Sequence, residues 1–195
     1  RELFEHYGFK IYFEQYSYQL NFKKDFPDRF WAIADWVLSK GRYTFEHFSR
    51  KEEDKYLQHI VEIYNNTWPT VKKDFTPMDY DEIRLLYDKI SDVVEERFCW
   101  FAYEKGRPVA MVLMFPDVNQ VLCHFRGKLN VFQKLRCWWL MKRKAITNAR
   151  ILIMGVDPAH QRSGLESAIF WHLNEELKRM PHFETVELAW VGDFN

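Results

Sequence analysis

The sequence of 195 residues contains few residues of three structurally informative types: seven prolines, seven glycines and three cysteines. The low glycine and proline content excludes collagen-like chains, and no apolar run reaches the roughly 20 residues that span a bilayer. The cysteines are odd in number and form no Cys-x-x-Cys pair, so neither a disulfide framework nor a zinc site is expected. This cysteine usage favours a reducing compartment, and we expect a cytoplasmic protein without a metal ion.

Net charge is also absent, because 28 basic and 28 acidic residues cancel. Long-range steering toward nucleic acid is therefore not expected. The charges are nevertheless segregated, since residues 118–156 contain no acid. Their bases are Arg126, Lys128, Lys134, Arg136, Lys142, Arg143, Lys144 and Arg150. This basic stretch has three possible interpretations: a solvated helix face, a nearby ligand rich in phosphate, or a helix lying on a membrane surface.

Aromatic residues are abundant, at 18% of a chain that is 47% apolar, which is enough to build a folded core. Hydrophobic periodicity predicts the order of the elements. In chain order these are a short helix, a strand over 9–20 with a bulge near 14–15, a helix over 28–39, a strand over 42–48, helices over 52–67 and near 79–91, a hairpin of 98–103 and 107–115, a loop over 117–120, a helix over 130–146, a strand over 150–156, a helix over 163–179 and a strand over 184–191. The order favours an α/β fold with a mixed sheet.

The predicted helix over 130–146 gathers large apolar side chains on one stripe. They are Val131, Phe132, Leu135, Trp138 and Trp139. Such a stripe most often packs into a core. As an alternative, the two tryptophans would anchor the helix at a membrane surface.

The strongest functional pattern lies in residues 151–178. A buried strand ends at Val156, and Gly164 stands where the next helix opens. The first amides of a helix lack partners and lie at the positive end of its dipole, so such a loop can bind phosphate. We expect Gly164 to let the backbone approach the ligand closely and Arg162 to add a charged contact.

This stretch resembles the acyl-CoA motif of the GNAT acyltransferase superfamily. In that motif a strand and Val-x-Pro precede Gln/Arg-x-x-Gly-x-Gly/Ala at the start of a helix. Val156, Pro158, Gln161 and Gly164 match the pattern, whereas Glu166 replaces its last small residue. The resemblance implies a mostly antiparallel central sheet flanked by helices, with acetyl-CoA or another acyl-CoA as co-substrate. A carboxylate at position 166 would repel the pyrophosphate unless it turns away.

The resemblance also implies roles for individual residues. Met154 and Val156 would bind the pantetheine arm along the strand. The pyrophosphate would be held by Gln161, Arg162, Ser163, Gly164 and Ser167. The implied reaction is direct attack of a small-molecule or peptide amine on the thioester, whose carbonyl the backbone at Val156 would polarise.

Acyl transfer to an amine requires a base that removes the amine's proton. The strand over 150–156 has no carboxylate, and Glu187 on the neighbouring strand is the candidate base. Asp117 and His124 could line the acceptor site and His160 could contact phosphate, with surface solvation as the ordinary alternative for all three. The second hypothesis is a catalytically degenerate GNAT fold that serves as a binding or scaffold module.

The first residues of the chain contain a second resemblance. Residues 3–9, Leu-Phe-Glu-His-Tyr-Gly-Phe, are similar to the helix-to-strand ending of the same superfamily. We interpret the sequence as part of a tandem pair of GNAT-like repeats. Residues 1–22 would be the tail of a preceding repeat, 23–41 a linker helix, and 42–195 a GNAT-like domain lacking its final helix and strand. The strand of the tail is expected to pair with the sheet of the second repeat.

Overall fold

The computed structural model describes residues 2–11, 14–24, 26–70, 75–125 and 130–192. Its helices are α1 (Glu2–His6), α2 (Asp28–Ser39), α3 (Glu53–Thr67), α4 (Tyr80–Ile90), α5 (Asn119–Leu122), α6 (Val131–Lys142) and α7 (Leu165–Arg179). Its strands are β1 (Gln15–Asn21), β2 (Thr44–His47), β3 (Cys99–Glu104), β4 (Arg107–Pro116), β5 (Asn148–Val156) and β6 (Thr185–Gly192). The predicted α/β class is confirmed.

The strands form one mixed sheet in the order β1-β6-β5-β4-β3-β2. All neighbours are antiparallel except β5 and β6, which are parallel. A parallel pair needs a crossover connection, and α7 supplies it. One of the antiparallel pairs is the hairpin of β3 and β4, whose short turn contains Gly106 with φ +80°.

The strand near the start of the chain, β1, lies at the edge of the sheet and pairs with β6, so it does join this sheet. It covers Gln15–Asn21 rather than the predicted 9–20, and Phe9 and Ile11 lie exposed outside it. The register shift falls between Tyr16 and Tyr18 instead of near 14–15.

Two apolar clusters cover the two faces of the sheet. On one face α7 and α2 pack against the sheet through residues such as Leu165, Leu173 and Val37. On the other face α3 and α4 pack against Phe101 and neighbouring side chains. The central strands β3 and β4 are therefore covered on both sides, which explains their almost continuous apolar sequences.

The apolar stripe of α6 was expected to pack into the core, but none of the residues of this helix is buried. Its apolar residues Cys137, Leu140 and Met141 pack on the first cluster, and Arg136 lies over the Phe125 ring of that cluster. The sheet face nearest to it is already occupied by α2 and α7, so the predicted stripe, including Trp138 and Trp139, remains in solvent. Another difference is α5, a short helix within the predicted loop over 117–120. In the ranges that the structure describes, no helix is both long and apolar enough to cross a membrane.

Candidate active site

Strands β5 and β6 diverge along their length. Their ladder joins residues 148–151 with residues 185–188 and then stops. Beyond that point β5 continues beside β4, and β6 continues beside β1. A wedge-shaped opening, which we call the wedge, therefore lies between the ends of the two parallel strands. The edge of β5 at residues 152–156 faces the wedge with backbone groups that can pair with the amides of an extended ligand.

A β-bulge marks the point of divergence. Leu113 pairs with Ile153 and Met114 pairs with Ile151, which leaves Leu152 as the extra residue of β5. A bulge bends its strand and removes one residue from the regular ladder. Leu152 and Met154 are 55% and 39% exposed and give the wedge an apolar edge, whereas Val156, near the end of β5, is buried.

Aromatic side chains from the end of α3 cover this part of β5 on one face. A Cβ at Gly155 would lie 2.7 Å from the Trp68 ring, so the glycine is what lets the ring lie against the strand. Tyr64 stacks on Trp68 with ring centroids 4.7 Å apart. This aromatic wall was not predicted from the sequence, although a glycine inside a strand is a signal of close approach.

The loop that follows β5 leads into an uncapped helix. Arg162 and Gly164 both adopt left-handed conformations, with φ of +58° and +81°. Gly164 occupies the N-cap of α7 without a side-chain hydrogen bond, and among the described residues the amides of Ser163, Gly164 and Leu165 have no acceptor. The buried Ser163 hydroxyl also has no hydrogen-bond partner there. Unpaired donors at the positive end of a helix dipole form a site for an anion.

Gly164 also has a packing role that was not predicted from the sequence. A Cβ at this position would lie 2.5 Å from Cγ2 of Ile33 and 3.1 Å from Cγ2 of Val37, both on α2. The absent side chain thus makes room for α2. Glycine also permits the left-handed turn at low conformational cost.

The other predicted pyrophosphate residues differ in exposure. Gln161 and Arg162 are exposed, whereas Ser167 is buried in the first turn of α7. Glu166 is half-buried, and its carboxylate forms no ion pair with any residue that the structure describes. The predicted residues of the loop are therefore brought together, with an uncompensated negative charge beside them.

A network of charged side chains holds the loop in place. His160 Nε2 lies 2.9 Å from Glu104 Oε2, and Arg107 Nη2 lies 3.3 Å from Asp157 Oδ2. Hydrogen bonds from Arg42 and His160 lower the pKa of Glu104 to about 2. His160 is 8% exposed, so the expectation of a surface histidine is wrong. Its Nε2 contacts a carboxylate, which anchors the loop to β3.

Glu187 lies at the closed end of the wedge, directly opposite Arg150 of β5. Arg150 Nη2 and Nε donate to the same oxygen, Glu187 Oε2, at 2.6 and 3.0 Å. Oε1 of Glu187 is thus left to accept a proton or a hydrogen bond. The register that brings Arg150 to Glu187 could not be read from the sequence.

Glu187 borders a cleft of about 300 Å³ that is also lined by Asp117, Asn148 and Thr185. Asp117 was expected near the acceptor site, and its Oδ1 accepts hydrogen bonds from Asn119 N and Nδ2 at 3.2 and 3.0 Å. His124 is exposed on a separate turn and is not among the residues that line this cleft.

The split sheet and the uncapped loop agree with a comparison to protein families. The model of the acetyltransferase (GNAT) family matches residues 57–195. The chain belongs to the GNAT family. This matches the resemblance predicted from the loop motif.

Two curated relatives resemble this GNAT protein over most of its length. It is 25% identical over 197 residues to "Bacterial ceramide synthase" of Caulobacter vibrioides, covering 98% of this chain and 50% of that protein. It is 23% identical to "Protein YghO" of Escherichia coli, covering 80% of this chain and 40% of that protein. The chain therefore spans half or less of the length of these two relatives.

Solved structures share the fold at low sequence identity. The glucosamine N-acetyltransferase region of a fungal GH3 β-N-acetylglucosaminidase has a TM-score of 0.56 at 13% identity, covering 97% of this chain and 20% of that one. A GCN5-related N-acetyltransferase from Sphaerobacter thermophilus has a TM-score of 0.55 at 10% identity, covering 98% and 46%. The L-PGS structure from Bacillus licheniformis has a TM-score of 0.53 at 12% identity, covering 97% and 51%.

Proposed function

We propose that this protein is an acyl-CoA-dependent N-acyltransferase that transfers an acyl group, acetyl or longer, to an amine by direct attack. The observation that carries the proposal is the wedge, in which the edge of β5 at residues 152–156 leads to the uncapped start of α7. An extended pantetheine arm with two amide groups suits a free strand edge, and a pyrophosphate suits an uncapped helix start. Family membership supports the same co-substrate.

In this proposal the co-substrate follows the chain from β5 into the loop. The pantetheine arm pairs with the backbone at Met154 and Val156, and the apolar side chain of Leu152 lies beside the acyl group. The pyrophosphate is bound by the loop and first helical turn. Its proposed contacts are Gln161, Arg162, Ser163, Gly164 and Ser167. A backbone N–H of the strand edge near Leu152, rather than at Val156, would stabilise the oxyanion that develops on the thioester carbonyl, because the acyl group and Glu187 lie toward that end of the wedge.

We assign the base to Glu187. The amine nitrogen attacks the thioester carbon, the C–S bond breaks, and coenzyme A leaves as a thiolate that takes up a proton. Oε1 of Glu187 would accept the proton that the amine loses, while Arg150 holds the other oxygen. Such positioned proton transfer contributes roughly 10²–10⁴-fold to a rate, so Glu187→Gln should lower turnover by that factor and leave acyl-CoA affinity unchanged.

We further propose a long-chain amine as the acceptor. A ceramide is an amide between a fatty acid and a long-chain amino alcohol, and one relative is named as a ceramide synthase. The cleft beside Glu187 is lined by Asp117, Asn148 and Thr185, which suit an amine carrying hydroxyl groups. The apolar edge at Leu152 and Met154 suits hydrocarbon.

Calorimetric titration with acetyl-CoA, palmitoyl-CoA and free coenzyme A tests the co-substrate. Arg162→Gly removes the charge while keeping the left-handed conformation, and we expect about tenfold weaker binding from the loss of a charge-assisted contact. Lys51→Gly is the matched control on the distant turn before α3 and should bind like the unaltered chain. Equal affinity in Arg162→Gly and the unaltered chain would contradict the proposed pyrophosphate site.

A catalytically degenerate binding module is the second candidate, and Glu166 is the observation that favours it. The unpaired carboxylate stands in the first turn of α7, where the pyrophosphate would lie. Removing it in Glu166→Ala should strengthen acyl-CoA binding if the site is functional. Failure of both the unaltered chain and Glu166→Ala to bind any of the three ligands would favour the binding module over the enzyme.

A further inference from the structure

The outward face of α6 is a continuous apolar surface. Its side chains are Val131, Phe132, Leu135, Trp138 and Trp139, and Phe132 and Trp138 are 82% and 60% exposed. At 100° per residue these five positions fall on one side of the helix, which we call the outer face of α6. The opposite side carries Cys137, Leu140 and Met141, which pack against the core. The helix is thus apolar on both sides, and only one of them is covered within the described chain.

The surroundings of the outer face are strongly basic. By helical spacing, Lys134 and Arg136 flank it on either side, and Lys142, Arg143 and Lys144 follow at its C-terminal end. Within the described ranges none of these five bases forms an ion pair with an acid. The whole stretch 118–156 contains no acidic residue. A partner that covers this surface must therefore be apolar at its centre and negatively charged around it.

The tryptophans make that partner more specific. Arg143 lies over the Trp139 ring at 4.1 Å from its centroid, and Lys142 lies 5.7 Å from the centroid of Trp138. Indole rings beside basic side chains are typical of the boundary between lipid headgroups and acyl chains. Lysine and arginine stems can lie along the apolar surface while their charges reach the phosphates.

We propose that α6 lies in the plane of an anionic lipid bilayer, with its outer face inserted among the acyl chains and its flanking bases on the phosphates. The chemistry required by the outer face, apolar at the centre and anionic at the rim, is that of such a bilayer surface. The proposal concerns a surface separate from the wedge and does not depend on acyl transfer.

Helix α4 provides a comparison within the same molecule. Leu85 and Leu86 are also exposed, at 59% and 49%. Acidic residues outnumber basic ones around them, since α4 contains Asp81, Glu82 and Asp88 against Arg84, which pairs with acids, and Lys89. An apolar surface with negative charge around it is repelled by anionic lipid, so α4 is a control for exposure alone.

Co-sedimentation with vesicles tests the proposal. The 195-residue chain is mixed with vesicles of phosphatidylcholine alone or with 30% phosphatidylglycerol, at about 0.1 M salt where the Debye length is about 10 Å. We expect the chain to sediment with the anionic vesicles. Phe132→Ser/Leu135→Ser should lower the partition coefficient by at least about tenfold, because two apolar side chains no longer insert. Leu85→Ser/Leu86→Ser should leave it unchanged.

The charged rim is tested separately. Lys134→Glu/Arg136→Glu should lower partitioning roughly tenfold at 0.1 M salt and by a smaller factor at 0.5 M, where charges are screened. Circular dichroism of each variant shows whether α6 still folds.

Three results would overturn the proposal: no sedimentation with anionic vesicles, equal loss in the α4 control, or no loss in the α6 variant. Sedimentation velocity adds a fourth. If the unaltered chain is a dimer that Phe132→Ser/Leu135→Ser converts to a monomer, a second copy of the chain covers the outer face instead of lipid.

Discussion

Helices α6 and α7 both carry large apolar side chains, which end in opposite environments. Helix α7 crosses from β5 to β6 over a sheet face. It buries Leu165, Ser167, Ala168, Ile169, Phe170, Leu173, Glu176 and Leu177. Helix α6 buries none of its residues, because it reaches only the margin of the same core. The position of a helix in the topology therefore decides whether its stripe becomes core or surface.

The starts of the two helices differ in the same way. Asn130 and Gln133 form a capping box at α6, in which each side chain accepts from the other residue's backbone amide. Gly164 at the start of α7 has no side chain with which to cap. Two donors at the start of α6 are thus paired with side chains, whereas the start of α7 has no such side-chain cap. The start of α6 is therefore closed by its own side chains, and the start of α7 is open at the proposed pyrophosphate site.

The sharpest test of the comparison replaces one leucine in each helix. Leu173→Ala in α7 should destabilise the fold by about 2–5 kcal/mol, since it opens a cavity in the core. Leu135→Ala in α6 should change stability by less than about 0.5 kcal/mol, because its side chain is already in solvent. Urea denaturation measures both values. Similar losses at the two positions would mean that the outer face of α6 is covered.

Gly164→Ala should have the next largest effect, about 1–3 kcal/mol of destabilisation, from a strained left-handed residue and the contact with Ile33. Thermal unfolding gives the value. The double variant Gly164→Ala/Ile33→Ala removes the contact but not the strain, so it should be less destabilised than the sum of the two single changes. Simple additivity of the two changes would argue against the packing role of Gly164.

Asn130→Ala removes the cap of α6 and should cost about 1 kcal/mol, the usual value for a lost side-chain cap. Asn130→Asp is the matched control, since aspartate caps equally well. The loss should be visible in chemical denaturation. An unchanged midpoint in Asn130→Ala would show that α6 folds independently of its own cap.

Much of the fold could be predicted because local patterns coincide with tertiary structure. The spacing of apolar residues in α2, α3 and α7 matches the buried faces of these helices, and the turn at Gly106 predicts the β3–β4 hairpin. The loop motif around Gly164 could be found for the same reason, since a glycine at a helix start is a local signal.

Features that depend on long-range pairing could not be predicted. The wedge exists because β6 leaves β5 after four paired residues to continue beside β1, which comes from the start of the chain. The Arg150–Glu187 ion pair depends on that same register. The exposure of α6 depends on the fact that α2 and α7 cover the sheet face. The hydrophobic periodicity of α6 itself does not contain this information.

The smallest expected effect depends on pH and concerns the loop before α7. The folded-state pKa of Glu104, about 2, lies below its ordinary value of 4.5, because Arg42 and His160 hydrogen-bond to its carboxylate. The stability that Glu104 contributes is therefore complete above about pH 4.5 and is lost as the pH falls toward 2. Glu104→Gln should be less stable than the unaltered chain at pH 6, and the difference should shrink in acid. Thermal unfolding between pH 6 and pH 2.5 measures it. If the stability difference between Glu104→Gln and the unaltered chain did not change with pH, the charge of Glu104 would not be what holds the loop. Helices α6 and α7 would then differ only in their caps and in their buried faces.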